Sequence, residues 1–332
     1  MKPPTSNTLI KIVKILSDGA YHNGNSMGAA LNITRTAVWK AIKKLVEYGI
    51  QIESIKGQGY LLLEPLILLE KKSIQKQLAT KKMAFAILET VASTNDYLKN
   101  KIKSLPMRQQ KQPWVCLAEQ QTRGRGRFQR HWHSPFAQNI YFSMAYSFEK
   151  DISELAGLGM IVALSLLKTI ESFALLPAPC IKWPNDIIVN HKKLAGVLID
   201  VEAETHVACH VIIGIGMNVN MLQAKEQVVG QAWESLRHLT NKYIDRNELV
   251  ANITQHLLGY LAQFEKKGFT SFLNSWKRAD YLYDHTITIK SGTQKITGVA
   301  KGINHQGHLL LELNDGRIQG FSSGDTSVVR EE

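Results

Sequence analysis

Asn32-Ile33-Thr34-Arg35-Thr36-Ala37-Val38-Trp39-Lys40-Ala41-Ile42-Lys43-Lys44-Leu45-Val46-Glu47-Tyr48-Gly49 orders everything before residue 65. Thr34 is a hydroxyl N-cap followed by apolar residues at helical spacing, which predicts a helix from Arg35 to about Tyr48, closed by Gly49. One face of that helix, Val38, Ala41, Ile42, Leu45 and Val46, reads as a buried stripe. The opposite face carries Arg35, Thr36, Trp39, Lys40 and Lys43 and is basic and hydrogen-bonding. Upstream, Asn32-Ile33 predicts a turn after a short helix over Ser26 to Leu31. Before it, a first helix carrying Leu9, Ile12, Val13 and Leu16 stops at Asp18-Gly19. Downstream, alternating strands from Gln51 to Lys56 and Tyr60 to Leu63 meet at Gly57-Gln58-Gly59. Helix-turn-helix followed by a hairpin predicts a winged helix over residues 1–65 that lays its third helix in the DNA major groove, with Arg35, Thr36, Trp39, Lys40 and Lys43 as the contacting residues. A protein-binding module is the other use of such a unit.

The whole chain has 332 residues, room for two or three domains, and 44% hydrophobic content, which excludes a disordered protein. Its longest apolar run, roughly Leu155 to Leu167, is interrupted by glycine and too short for a membrane span of about 20 residues. No apolar signal core precedes Asn7, so the expectation is a cytoplasmic protein with no membrane partner. Cys116, Cys180 and Cys209 are too scattered for a disulfide framework or a zinc site and read as reduced structural thiols. His131-Trp132-His133 has no further ligands nearby, so no bound metal is expected there. A net charge of +12 points to polyanionic partners.

Beyond Glu64-Pro65, residues 66–280 alternate helices and strands. Ser153 to Ala174 reads as a long amphipathic helix, and Ile187 to Val189, Val197 to Val201 and Val211 to Ile215 as interior strands. Residues 281–332 show short strands with close turns at Thr286–Lys290, Ile296–Ile303, His308–Leu313 and Arg317–Phe321, the pattern of a small β-barrel.

The chemistry sits in the middle segment. Gly124-Arg125-Gly126-Arg127-Phe128-Gln129-Arg130 combines glycines that let backbone approach a ligand with guanidinium forks that match carboxylate and phosphate oxygens. It lacks the spacing of a Walker A loop or a dinucleotide fingerprint, so side chains would have to hold the phosphate. A basic surface loop is the plain alternative. Lys182-Trp183-Pro184-Asn185-Asp186 and Lys192-Lys193-Leu194-Ala195-Gly196 bracket a short hairpin. Ser93-Thr94-Asn95 opens a helix whose N-terminus suits a small polar head group. Gly214-Ile215-Gly216-Met217-Asn218 ends a strand with a candidate ligand edge.

These ordered motifs, with Gln121 before the arginine loop, resemble the biotin protein ligases. With the winged helix, the chain looks like their bifunctional ligase and biotin-operon repressor form over essentially its full length. The resemblance implies an α+β multidomain fold: the winged helix, a central mixed α/β ligase domain of the class II synthetase-like type, and a C-terminal SH3-like barrel. It implies ATP-dependent formation of biotinyl-5′-adenylate, with Mg2+ on the leaving pyrophosphate, then transfer of biotin to a lysine of a biotin carboxyl carrier protein, the acetyl-CoA carboxylase subunit. By the same resemblance Ser93, Thr94, Asn95, Gln121, Arg125, Gly126, Arg127 and Lys193 contact biotin. Arg127, Arg130, Trp132, Lys182, Asp186, Asn218 and Trp233 lie at the nucleotide. Arg125, Arg127, Lys193 and Asp186 carry the catalysis.

The adenylate would also be the corepressor, favouring a homodimer that presents two winged helices to operator DNA. The loop departs from many bifunctional relatives at Gln129, where they carry glycine. Three other readings stay open: a lipoate ligase, a biotin sensor without ligase activity, and a ligase whose winged helix no longer represses.

Overall fold

The computed structural model describes residues 6–79, 83–203, 209–224, 229–291 and 294–329. Its first unit contains helices α1 (Ser6–Leu16), α2 (Gly24–Leu31) and α3 (Arg35–Glu47) and the hairpin β1 (Ile52–Ile55) and β2 (Gly59–Leu62). Helix α2 starts two residues earlier than the sequence suggests because Asn23 caps it, its side chain accepting from the Asn25 N–H. Thr34 caps α3 through the Ala37 N–H at 3.2 Å. Gly59, at φ 118°, brings the wing against the α1–α2 connection, where a Cβ would lie 2.1 Å from the His22 carbonyl oxygen. Val38, Ala41, Ile42 and Leu45 are buried as expected, but Val46 is 49% exposed. At about 100° per residue Val46 stands roughly 80° round the helix from Val38, beyond the narrow seam that α1 and α2 cover.

In the central sheet, β3 (Ala84–Val91) runs parallel to β4 (Trp114–Gln121), and the crossover between them carries α5 (Thr94–Lys103), following α4 (Lys71–Gln77). The remaining strands, β5 (Ile140–Phe148), β6 (Cys180–Lys182), β7 (Asp186–Val189), β8 (Lys192–Ala203) and β9 (Cys209–Met217), pair antiparallel in the order β3-β4-β5-β9-β8-β7-β6. Strand alternation assigns the two faces. Val115, Leu117, Met144 and Ile213 join the main core, while Cys116, Ala145 and Ile212 pack under Leu98 and Ile102 of α5.

The amphipathic helix expected over Ser153 to Ala174 is corrected. A 3-10 turn at Ile152–Leu155 is broken from a helix at Leu158–Ile170 by Gly157 at φ 81°. Ten of that helix's thirteen residues are buried, so it is an interior helix apolar on nearly every side. The span Ile152–Phe173 is long and apolar enough to cross a membrane by length and composition alone, yet Leu155, Leu158, Ile161, Leu164 and Ile170 pack within the main core.

The C-terminal strands β10 (Thr286–Ser291), β11 (Gln294–Ile303), β12 (Leu309–Glu312), β13 (Ile318–Phe321) and β14 (Asp325–Val328) form a small antiparallel sheet ordered β13-β12-β11-β10-β14. The last strand, Asp325-Thr326-Ser327-Val328, has no apolar run, so no sequence pattern marks it. The segment joining the first unit to the rest is tied down by charge: Glu64 accepts from both terminal guanidinium nitrogens of Arg237 at 2.6 Å each. Fully buried Arg246 donates to the Ile67 carbonyl and lies 2.7 Å from Glu119, which itself accepts from the Leu69 N–H.

Candidate active site and DNA-facing helix

The pocket opens where the parallel pair β3–β4 ends, the edge at which a helix N-terminus meets strand carboxyl ends. Ser93 caps α5 by accepting from the Asp96 N–H at 3.3 Å, and Ser93, Thr94 and Asn95 are all buried. Gln121, at the last position of β4, accepts from the Thr94 N–H and hydroxyl at 2.9 and 3.1 Å and donates to Ser134 at 3.1 Å. Ser143 on β5 links Thr94 and Asn95 at 2.7 and 2.6 Å. These buried polar groups are held in fixed orientation before any ligand arrives, which suits recognition of a small head group rich in donors and acceptors.

The arginine loop folds over this floor. Its base is a narrow ladder in which the Trp132 N–H donates to the Gly124 carbonyl at 2.9 Å and the Gly126 N–H to the Arg130 carbonyl at 2.7 Å. The tip, Arg127–Gln129, makes a 3-10 turn with Phe128 and Gln129 at φ 54° and 59°. A left-handed residue other than glycine costs about 1–2 kcal/mol, so Phe128 and Gln129 place strain at the tip of the loop.

The three arginines have different partners. Arg125 is forked between Asp96 and Asp200. Arg130 pairs with Asp325 of β14. Arg127 reaches Asn185 at 3.4 Å and has no ion pair among the described residues. Burial holds the Arg127 guanidinium below its usual pKa, against the opposing pull of Asp186 and Asp325. That leaves Arg127 as the loop's cation most in need of an incoming anion.

Opposite the loop, the turn between β6 and β7 brings in Lys182 and Asp186. Lys193 pairs with Asp186 at 2.8 Å and lies 5.5 Å from the Trp132 ring centre. Burial pushes the Lys182 ammonium down, partly offset by Asp186 and Asp325 and reinforced by Lys193 and Arg130. Trp132 forms a wall packed so closely on Gly216 that a Cβ there would lie 2.4 Å from the ring. The Trp132 indole N–H is buried without an acceptor, and Trp132 lines the pocket.

Ser93, Thr94, Asn95, Gln121, Arg125, Gly126, Arg127, Arg130, Trp132, Lys182, Asp186 and Lys193 all line one cavity of about 480 Å³. Asn218 and Trp233 line a small adjoining recess that shares Trp132, Lys193 and His131 with it. Sequence reasoning missed Asp96, Asp200 and the contribution of β14. Asp325 and Thr326 reach the pocket from almost two hundred residues away, and no local motif marks them. The three cysteines are free. Among the described residues no group of three or more His, Cys, Asp or Glu side chains could by itself hold a metal ion.

On α3, Arg35, Thr36, Trp39 and Lys43 are exposed and Lys40 is half-buried. Trp39 is 51% exposed, with the Lys43 ammonium 5.8 Å from its ring centre. An indole beside a row of cations on the outer face of a capped recognition helix is suited to a phosphate backbone.

Fold and pocket together define an adenylate-forming ligase joined to a helix-turn-helix. Residues 87–218 match the biotin/lipoate A/B protein ligase family, residues 8–61 the HTH domain, and residues 285–329 the biotin protein ligase C-terminal domain. The chain is 34% identical over 319 residues to the bifunctional ligase/repressor BirA of Escherichia coli, covering 96% of each. It is 30% identical to BirA of Bacillus subtilis, covering 92% of this chain and 93% of that one. The biotin protein ligase of Aquifex aeolicus, solved with biotin and ATP, superposes with a TM-score of 0.62 at 27% identity, covering 75% of this chain and 99% of that one. The chain belongs to the biotin protein ligases, in their bifunctional ligase/repressor branch.

Proposed function

We propose that the cavity takes biotin at Ser93, Thr94, Asn95 and Gln121 and ATP against Arg127, Arg130, Trp132, Lys182, Asp186 and the Asn218–Trp233 recess. The observation that carries this reading is the meeting of Arg127, Lys182 and Lys193 over a floor of prearranged hydrogen-bonding groups. A carboxylate and a triphosphate repel each other, and bringing one onto the other needs cations already desolvated and fixed in place. Lys193, held by Asp186, and the depressed Lys182 supply positive charge where the biotin carboxylate oxygen attacks the α-phosphorus and pyrophosphate departs. Mg2+ would arrive on the phosphates and neutralise that leaving group. Asp186 and Asp325 are the carboxylates on that side of the pocket, in keeping with an ion held through one or two carboxylates plus phosphate oxygens.

The second half-reaction is attack of a neutral lysine amine of a biotin carboxyl carrier protein on the mixed anhydride, releasing AMP and forming an amide. Until then the loop keeps water away from the anhydride. The adenylate then serves as corepressor: the liganded protein forms a homodimer and presents Arg35, Thr36, Trp39, Lys40 and Lys43 to a two-fold operator in the cytoplasm. The division is residues 1–65 for DNA, 66–280 for catalysis and 281–332 for the small sheet domain.

Incubation with ATP, Mg2+, labelled biotin and a biotin carrier domain tests the ligase. Label is expected on the carrier in an amide that survives denaturation. Adenylate without transfer would instead fit a ligand-sensing regulator.

A further inference from the structure

Asp200 stands in the middle of β8 with its side chain only 20% exposed. It touches both walls of the pocket. One oxygen accepts from the Asn95 amide nitrogen at 3.1 Å, at the head of α5, and the other faces the Arg125 guanidinium at 3.0 Å, at the root of the loop. Arg125 is held from its other side by Asp96, in the first turn of the same helix. A guanidinium already shared by two carboxylates is a poor receptor for a third anion, so Arg125, expected from the sequence to contact biotin and to share the catalysis, has a different task from Arg127.

We propose that Asp200, seconded by Asp96, is a positioning residue: it latches the base of the arginine loop to the helix that holds the biotin head group, so that Arg127 meets its anion from a loop already hinged in place. This rests on the reading that the cavity takes biotin and its adenylate. Arg125 and Asp96 are each more than 40% exposed, and an ion pair in water contributes little. Asp200 is better shielded and accepts from two donors, so it supplies most of the latch. Its effect is on the order imposed on the loop before and after ligand binding, and the bond-forming atoms lie elsewhere. The latch therefore acts on biotin affinity and adenylate retention and leaves the turnover of the closed complex alone.

Limited trypsin digestion of the unliganded full-length protein, which can cut the loop after Arg123, Arg125, Arg127 and Arg130, reads the latch without any ligand. In Asp200→Asn, loop cleavage and the biotin KM are each expected to rise roughly tenfold, the size of one lost charged hydrogen bond, while kcat at saturating biotin stays within about twofold. Asp96→Asn should do less, and Asp200→Glu should restore retention of the adenylate. If Asp200→Asn lowers the urea midpoint, Arg125→Gln removes the same bond from the exposed side, and the double variant should be no worse than the worse single one. Unchanged cleavage and KM, a fall in kcat at constant KM, or additive effects in the double variant overturn the latch. Failure of the wild-type protein to label a carrier domain would overturn the ligase reading instead, and the ligand-free digestion would still judge the latch.

Discussion

Phe136 stacks on Tyr48, their ring centres 5.6 Å apart and their planes 27° from parallel. Tyr48 is the C-cap of α3, the DNA-facing helix, and Phe136 lies on the segment that leaves the arginine loop. Phe136 is fully buried and belongs to the hydrophobic core of the first unit, together with Ile12, Leu16 and Leu45. Four residues before it, Trp132 walls the ligand pocket, and between them Ser134 accepts from Gln121, which holds Thr94. The winged helix thus completes its core with a side chain from the ligase, and five consecutive residues run from ligand wall to recognition helix.

Removing that side chain should show the dependence. Phe136→Ala empties a fully enclosed site, and large-to-small changes of this kind cost about 3–5 kcal/mol. Because the loss falls on the smaller core, scanning calorimetry is expected to resolve an early transition of the first unit from a later one of the catalytic unit. A single transition at the wild-type temperature would mean that Phe136 does not bind the two together.

Lys182, proposed to meet the nucleotide, is held at a cost to stability. Its pKa is depressed in the folded chain, chiefly by burial, so the unfolded chain holds that proton more tightly. The penalty is complete below the folded pKa and is relieved as pH rises through it toward the unfolded value near 10.5. Lys182→Met keeps the stem and drops the charge. It is expected to raise the melting temperature at pH 7, to lose that advantage as pH rises toward the unfolded value near 10.5, and to slow adenylate formation by at least about a hundredfold, the scale of a lost transition-state charge contact. A variant that melts earlier than wild type at pH 7 contradicts the burial cost.

Gly216 is where the pocket wall admits no Cβ. Gly216→Ala places a methyl within 2.4 Å of the Trp132 ring, which must then swing away from the pocket. ATP affinity, read by isothermal titration, should fall roughly tenfold or more, the scale of a displaced aromatic wall, with little loss of overall fold. Affinity within twofold of wild type would show that Trp132 is not a ligand surface.

Short-range patterns carried most of this structure in legible form. Thr34 and Gly49 bracket α3 by cap chemistry that is complete within the segment, and the β-branched runs at 187–189 and 211–215 are strands wherever they are placed. Ser93, Gln121, Lys182 and Lys193 were recognisable because motifs surround them. Asp200 and Asp325 were not, since an isolated aspartate on a strand acquires meaning only when the fold sets an arginine opposite it. The interior helix at Leu158–Ile170 differs from the amphipathic expectation for a related reason. A helix covered on nearly every side loses the polar face that marks its ends, and Gly157 breaks it where periodicity alone would continue.

The recognition helix provides the last test. Arg35 and Lys43 project from α3 into solvent, far along the chain from every pocket residue. Phosphate contacts dominate affinity for DNA and give it a steep salt dependence. The paired change Arg35→Glu and Lys43→Glu replaces two attractions by two repulsions on one helix face. Binding to two-fold symmetric operator DNA, followed by gel shift in the presence of biotin and ATP, is expected to weaken by about a hundredfold or more, with a shallower salt slope. Carrier biotinylation should remain within about twofold, because no residue of α3 lines the ligand cavity and surface changes of this kind usually cost little stability. Loss of both activities together would mean that the helix supports the ligase fold, and retention of full DNA affinity would move the interface off this face.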